Sequence, residues 1–144
     1  MKNRKWTLVL LFLVTGTLMA QQAGHQQPGH HSAPLPTVAE VMTKELPDLR
    51  GQEMLMITVE YPPGGADPIH RHYSDAFVYV LEGSIVMQVK GGKEVTLMPG
   101  QTFYEGRDDI HLVGRNASST KPAKFLVFIV KDKGAPALVP VSAN

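Results

Sequence analysis

The sequence predicts an all-β fold: one domain whose strands close into a sandwich or barrel. From Glu53 onward, short runs rich in β-branched and aromatic residues are separated by glycine and proline breaks, the pattern of strands joined by tight turns. The chain has 144 residues, enough for one hydrophobic core and too few for two.

In chain order, the first segment lies outside that domain. Lys2, Arg4 and Lys5 precede an apolar stretch from Trp6 to Met19, and Ala20 offers a small residue at a cleavage point. Residues 1–20 therefore read as a secretory signal peptide, and a periplasmic or secreted protein is expected. The apolar run is short beside the roughly 20 residues of a bilayer span, so no stable membrane insertion is expected after cleavage; the alternative is an uncleaved N-terminal anchor. Residues 21–36, QQAGHQQPGHHSAPLP, lack a hydrophobic pattern and read as a flexible linker in which His25, His30 and His31 are ordinary polar residues.

The domain is then residues 37–144, with its core at about 54–130. Thr37 to Leu49, closed by Pro47, fits an edge strand or a helical turn, and the edge strand is the expectation. Met54 to Glu60 alternates as a strand until Tyr61-Pro62-Pro63-Gly64-Gly65 breaks it. Met54 and Met56 share a face and are expected in the core; the alternative is copper handling through thioethers. Further strands are expected at Phe77–Leu81, Ser84–Lys90, Glu94–Leu97, Thr102–Glu105, Ile110–Gly114 and Lys124–Lys131. Gly91-Gly92 is the pair that a two-residue hairpin loop requires.

Composition excludes several chemistries. There is no cysteine, hence no disulfide, thiolate metal site, lipid-anchored cysteine or cysteine nucleophile. Of the 14 Lys and Arg, three lie in the leader, which holds none of the 13 Asp and Glu, so the remainder is slightly acidic. No basic patch emerges for nucleic acid.

What remains is histidine chemistry. In extended chain, residues i and i+2 point to the same side, so His70 and His72 can present two imidazoles to one point. His111 ends the strand-like run that begins at Gly100, where a folded-back sheet would bring it beside them. Three neutral imidazoles suit a divalent transition metal such as Fe, Mn, Zn, Cu or Ni.

The stretch from Gly64 through His70, Arg71 and His72 to the YVLEG run ending at Gly83 resembles the first motif of the cupin superfamily. Gly100 to His111 resembles its second, and the likeness covers roughly residues 54–130. It implies a jelly-roll barrel, a double-stranded β-helix, with a metal held by two histidines and a glutamate of the first motif and one histidine of the second. His70, His72 and His111 fit. Ala76, however, occupies the glutamate position, and alanine cannot ligate. Milder departures are Gly106 for proline, Asp108 for glycine, and Asn116 one residue later than the usual asparagine.

Two carboxylates are candidates to replace the missing one. Asp75 is adjacent, but a one-residue offset turns it to the opposite face unless the strand bulges. Glu105 shares a face with Phe103, and by the resemblance that face looks into the barrel. A carboxylate there would need a partner or a metal; at the rim it would simply be hydrated.

By the resemblance, the open metal positions suit dioxygenase-type oxidation of an enolic or phenolic small molecule. Glu105 would act as catalytic base, and Phe103, Val78 and Val80 as apolar walls. The alternative is a non-catalytic periplasmic module binding a small oxygen-rich ligand or metal. A third reading is a metal-free barrel. Pairing of two copies through edge strands is also implied by the resemblance alone.

Overall fold

The computed structural model describes residues 32–141. The expected leader, and His25, His30 and His31 of the expected linker, lie outside the described residues.

The strands are β1 (Thr37–Glu45), β2 (Gln52–Tyr61), β3 (His70–Arg71), β4 (Asp75–Glu82) and β5 (Ile85–Val89), followed by β6 (Val95–Leu97), β7 (Thr102–Glu105), β8 (His111–Asn116), β9 (Ala123–Asp132) and β10 (Val139–Pro140). They form two five-stranded antiparallel sheets, ordered β1-β2-β9-β4-β7 and β10-β3-β8-β5-β6. Thr37 to Glu45 is thus the expected edge strand.

Alternation decides what goes inside. On β2 the odd positions Leu55, Val59 and Tyr61 are buried, on β4 Ala76, Val78 and Val80, and on β9 Phe125, Val127 and Ile129; Ile85 and Met87 of the second sheet close the core against them. Because side chains on a strand alternate with a period of two, the even positions of β2 must face outward. Met54 and Met56 are accordingly half-buried on the outer face, not in the core as expected from their spacing alone. The methionines do obey the period, but the buried set is the other one.

Two further expectations are corrected. Gly91-Gly92 is not a two-residue hairpin loop: Met87 already pairs with Val95, and the strands part before the glycines. Instead, the Gly92 amide donates to the Val89 carbonyl at 2.9 Å and Gly91 has φ of +85°, a turn with glycine in its left-handed third position. His111 opens β8; it does not end the preceding strand, because the loop after Glu105 turns at Gly106–Asp109, closed by a 3.0 Å bond from the Asp109 amide to the Gly106 carbonyl. β3 and β10 are two-residue strands too short for a sequence pattern to mark.

Asn116, displaced by one residue from its family position, ties the loops at one end of the barrel. Its buried Nδ2 donates to the carbonyls of Tyr61 (3.3 Å), Pro62 (3.0 Å) and Lys121 (2.8 Å), and its Oδ1 accepts from the Ser118 amide at 2.9 Å. Asn116→Ala removes the donor and strands buried carbonyls, so it should destabilise the fold by about 1–3 kcal/mol. Urea unfolding of the two proteins checks this; an unchanged midpoint would show that water replaces the amide at no cost.

Candidate metal centre

Four side chains arrive at one point from both sheets. β3 delivers His70, and β8, its antiparallel neighbour, sets His111 directly opposite. Beyond Arg71 the chain leaves the sheet, and Tyr73 adopts φ of +52°, a left-handed conformation uncommon for a side chain of its size. The Ser74 hydroxyl donates to the His72 carbonyl at 3.1 Å across this turn. His72 is left with its Nε2 3.2 Å from that of His70. Glu105, at the end of β7, completes the group. One ligand atom from each of His70, His72, Glu105 and His111 lies within 4.8 Å of every other.

The position of Glu105 answers the question raised by Ala76. These two residues are cross-strand partners in the β4–β7 ladder, Ala76 fully buried and Glu105 almost so. Residues directly opposite on one face have Cβ atoms about 4.5–5.5 Å apart. The carboxylate is therefore supplied one strand over, through the space a small alanine leaves. Asp75 points the other way, as parity requires, and accepts a 2.6 Å hydrogen bond from the Tyr104 hydroxyl on the outer face.

Each histidine's tautomer is set by a main-chain carbonyl. Nδ1–H of His70 donates to Pro68 at 2.9 Å, Nδ1–H of His72 to Ala137 at 2.6 Å, and Nε2–H of His111 to Val113 at 2.7 Å. The remaining nitrogens, all lone pairs when the rings are neutral, face one another and Glu105. His111 Nδ1 lies 3.1 Å from Glu105 Oε2 yet has no hydrogen bond, since two acceptors face each other there. His72 Nε2 is 3.5 Å from the same oxygen. Three imidazole lone pairs and a carboxylate converging in a buried site are a donor set that fits a divalent transition metal.

Without metal, one proton can take the cation's place. Burial is the largest influence on Glu105 and opposes its charge, but the His72 contact and the charges of His111, His72 and His70 together outweigh it and hold the carboxyl below its usual range. Burial likewise disfavours charge on His72, but its contact with Glu105 and the Ala137 carbonyl outweigh it and push the imidazole up. His70 goes the other way: burial dominates and lowers it.

Beside the four donors lies a cavity of about 90 Å³, lined by Ile57, Val59, Val78, Met87, Phe125 and Val127 together with Val38, Ala137 and Leu138. Of the walls expected from sequence, Val78 lines it. Val80 is buried elsewhere in the core, and Phe103 stands beside the site, its ring centre 6.4 Å from that of His111. One polar residue on this cavity went unrecognised in the sequence: Asp67, whose Oδ2 accepts a 2.5 Å hydrogen bond from the buried Tyr61 hydroxyl. Its signal was an acid three residues before His70, inside the first motif. Burial pushes its carboxyl up. Gly114 permits this packing, because a Cβ there would lie 2.9 Å from His111 Cε1 and from the Tyr61 hydroxyl, and 3.1 Å from Asp67 Oδ2.

Two sheets closed on a buried three-histidine, one-carboxylate cluster define a cupin barrel, and the chain belongs to the cupin family, whose cupin domain model matches residues 57–129. Among solved structures, a protein from Thermus thermophilus is 30% identical, with a TM-score of 0.53 over 65% of this chain and 81% of that one. The polyketide cyclase RemF from Streptomyces resistomycificus is 23% identical, with a TM-score of 0.56 over 76% of this chain and 72% of its own. An oxalate oxidase in complex with the substrate analogue glycolate is also 23% identical, TM-score 0.56, over 74% of this chain and 55% of that one. The last two share the double-stranded β-helix fold. No curated protein matches the chain.

Two outcomes are expected. Glu105→Gln should weaken zinc binding by at least about 100-fold, the upper end of what loss of an outer-shell partner costs, while Asp75→Asn leaves it unchanged; isothermal titration decides, and the reverse order would name Asp75 as the ligand. Because metal must displace the proton that Glu105 holds on His72, affinity should fall as pH drops, starting above the ordinary imidazole value of about 6.5. Zinc titration in two buffers of different ionisation enthalpy at pH 7 should register proton release in wild type and less of it in Glu105→Gln.

Proposed function

We propose that this protein is an exported, metal-dependent cupin oxidoreductase of the dioxygenase type, acting on a small enolic acid. The observation that carries the reading is the buried convergence of three tautomer-locked imidazoles and Glu105 on one edge of a small apolar cavity. Three histidines and one carboxylate leave coordination positions free for an oxygen-rich ligand. A divalent transition metal bound there would supply Lewis acidity and, for a redox-active ion, access to dioxygen.

The chain's own groups divide the remaining work. His70, His72 and His111 would hold the ion, each braced by its carbonyl. Glu105 would stand in for the carboxylate missing at Ala76 and, being the ionised group of the cluster, is placed to accept a proton from a substrate hydroxyl. Asp67, its carboxyl pushed up by burial and oriented by Tyr61, lines the same cavity and is placed to hydrogen-bond a second substrate oxygen. A buried carboxyl beyond the ligand set favours turnover over simple metal storage. The apolar walls exclude bulk water.

Cavity size favours the enolic class over the phenolic one. About 90 Å³ is below the 150 Å³ of an engineered cavity that admits benzene, so an aromatic ring would require the lining to spread. A two- to four-carbon acid would not. The oxalate oxidase with its two-carbon analogue is a precedent of that size on this fold.

Elemental analysis of protein purified without a histidine tag, followed by oxygen-electrode assays with small hydroxy and enolic acids and with phenols, tests the proposal. Stoichiometric metal and oxygen uptake with the acids, lost in His111→Ala, are expected. Metal without oxygen uptake on any member would leave the binding-module reading, and a metal-free protein would overturn both. The relocation of the carboxylate has its own test: the double variant Ala76→Glu/Glu105→Ala should recover metal binding that Glu105→Ala loses.

A further inference from the structure

The cavity beside the four donors meets solvent at two residues. Of the side chains that line it, only Val38 and Leu138 are exposed, by 55% and 40%; the others are buried or half-buried. These two belong to elements held very differently. Val38 lies on β1, which pairs with β2 through eight residues. Leu138 lies in residues 135–141, which follow β9 and pair with β3 through only two, Val139 with Arg71 and Pro140 with His70. Proline has no N–H to give that ladder, and a bond from the Val141 amide to the Ile69 carbonyl at 3.0 Å ends it.

The root of this segment is fixed. Glu53 and Lys131 form a buried ion pair, and the same Glu53 oxygen accepts from the Gly134 amide at 3.1 Å. Next to it the Lys133 amide donates to the Gly51 carbonyl at 2.8 Å. From there to Leu138 the chain is lightly held. Among the described residues, the one hydrogen bond on residues 136–138 runs from His72 to the Ala137 carbonyl. Gly134 has φ of +76°, and a Cβ there would meet nothing within 4 Å. It joins a fixed root to a lightly held segment in open space, where a hinge can turn.

We propose that residues 135–141 are a hinged strap that swings about Gly134 to let a small molecule into the cavity between Val38 and Leu138. Closed, it sets Leu138 between the cavity and solvent and latches the Ala137 carbonyl onto His72. Energetics favour this segment over the rest of the lining. Two ladder pairs and one latch lie within the local openings that proteins make without unfolding globally, whereas β1, β2 and β9 could part only by breaking continuous ladders of eight and ten pairs. The strap rests on the reading above only in that a small molecule must enter, so its opening can be measured without metal or turnover.

Because the chain has no cysteine, a single engineered disulfide can lock the strap without competing pairings. Arg71 and Val139 are directly opposed, and opposed residues of an antiparallel pair have Cα atoms about 4.5–5.5 Å apart, within disulfide range. The double variant Arg71→Cys/Val139→Cys, oxidised and then reduced with a phosphine, is compared with wild type and with Leu138→Ala. Each metal-free protein is treated with diethyl pyrocarbonate, which acylates imidazole nitrogens. Peptide mass mapping follows modification of His70, His72 and His111, with circular dichroism as the folding control. The oxidised form should be labelled at least about tenfold more slowly than its reduced form, since the cross-link removes the open state. Leu138→Ala, which needs no cross-link, should be labelled several times faster than wild type. Equal rates in the oxidised and reduced forms would overturn the proposal, because the reagent would then enter elsewhere. So would a Leu138→Ala protein labelled no faster than wild type. If both expected results hold and no acid supports oxygen uptake, the strap stands and the oxidoreductase reading alone fails.

Discussion

Each histidine of the cluster has one N–H, and each gives it to a carbonyl of the main chain. The nitrogen that remains can only accept. Three such nitrogens and a carboxylate face one another in a pocket with no room to diverge, so the cluster carries an electrostatic debt that only a cation can cancel. A proton on His72 cancels part of it, and a divalent ion satisfies all four donors at once. The barrel has therefore fixed the chemistry of its interior before any ligand arrives. Carbonyls at Pro68, Val113 and Ala137, main-chain atoms with no side-chain identity of their own, set it.

The carboxylate shows how a fold tolerates change at its most constrained point. A ligand set is a demand on where atoms lie, with no demand on which strand carries them. In an antiparallel ladder, two residues directly opposite reach nearly the same volume, so Ala76 and Glu105 can exchange roles without moving the backbone. The exchange asks that the vacated position be small, and alanine meets that condition.

Much of this was legible in the sequence because it depends on periods and parity. The seven strands with clear alternation appear within a few residues of their expected places, Asp75 and Glu105 face opposite ways as their offsets require, and the two histidine motifs meet. What escaped depends on long-range closure. Which face of β2 is buried follows from the second sheet that closes over it through Ile85 and Met87, so Met54 and Met56 were misplaced although their strand was found. β3 and β10 are two residues each and exist only because they pair through the cluster. Asp67 had only a weak signal, an acid three residues before His70; its role follows from Tyr61 and Gly114, brought to it from elsewhere in the chain.

The carbonyl that orients His72 belongs to Ala137, 65 residues further along the chain, in the segment that β10 docks beside β3. The cluster is thus completed by a contact far from the motif that supplies two of its histidines. Residues 70–111 carry all four donors, yet without the Ala137 carbonyl nothing fixes which nitrogen of His72 bears the proton. Fraying of that one segment would loosen the donor set without altering a single donor residue, so the grip of the cluster on a cation is tied to how firmly a distant stretch of chain is docked.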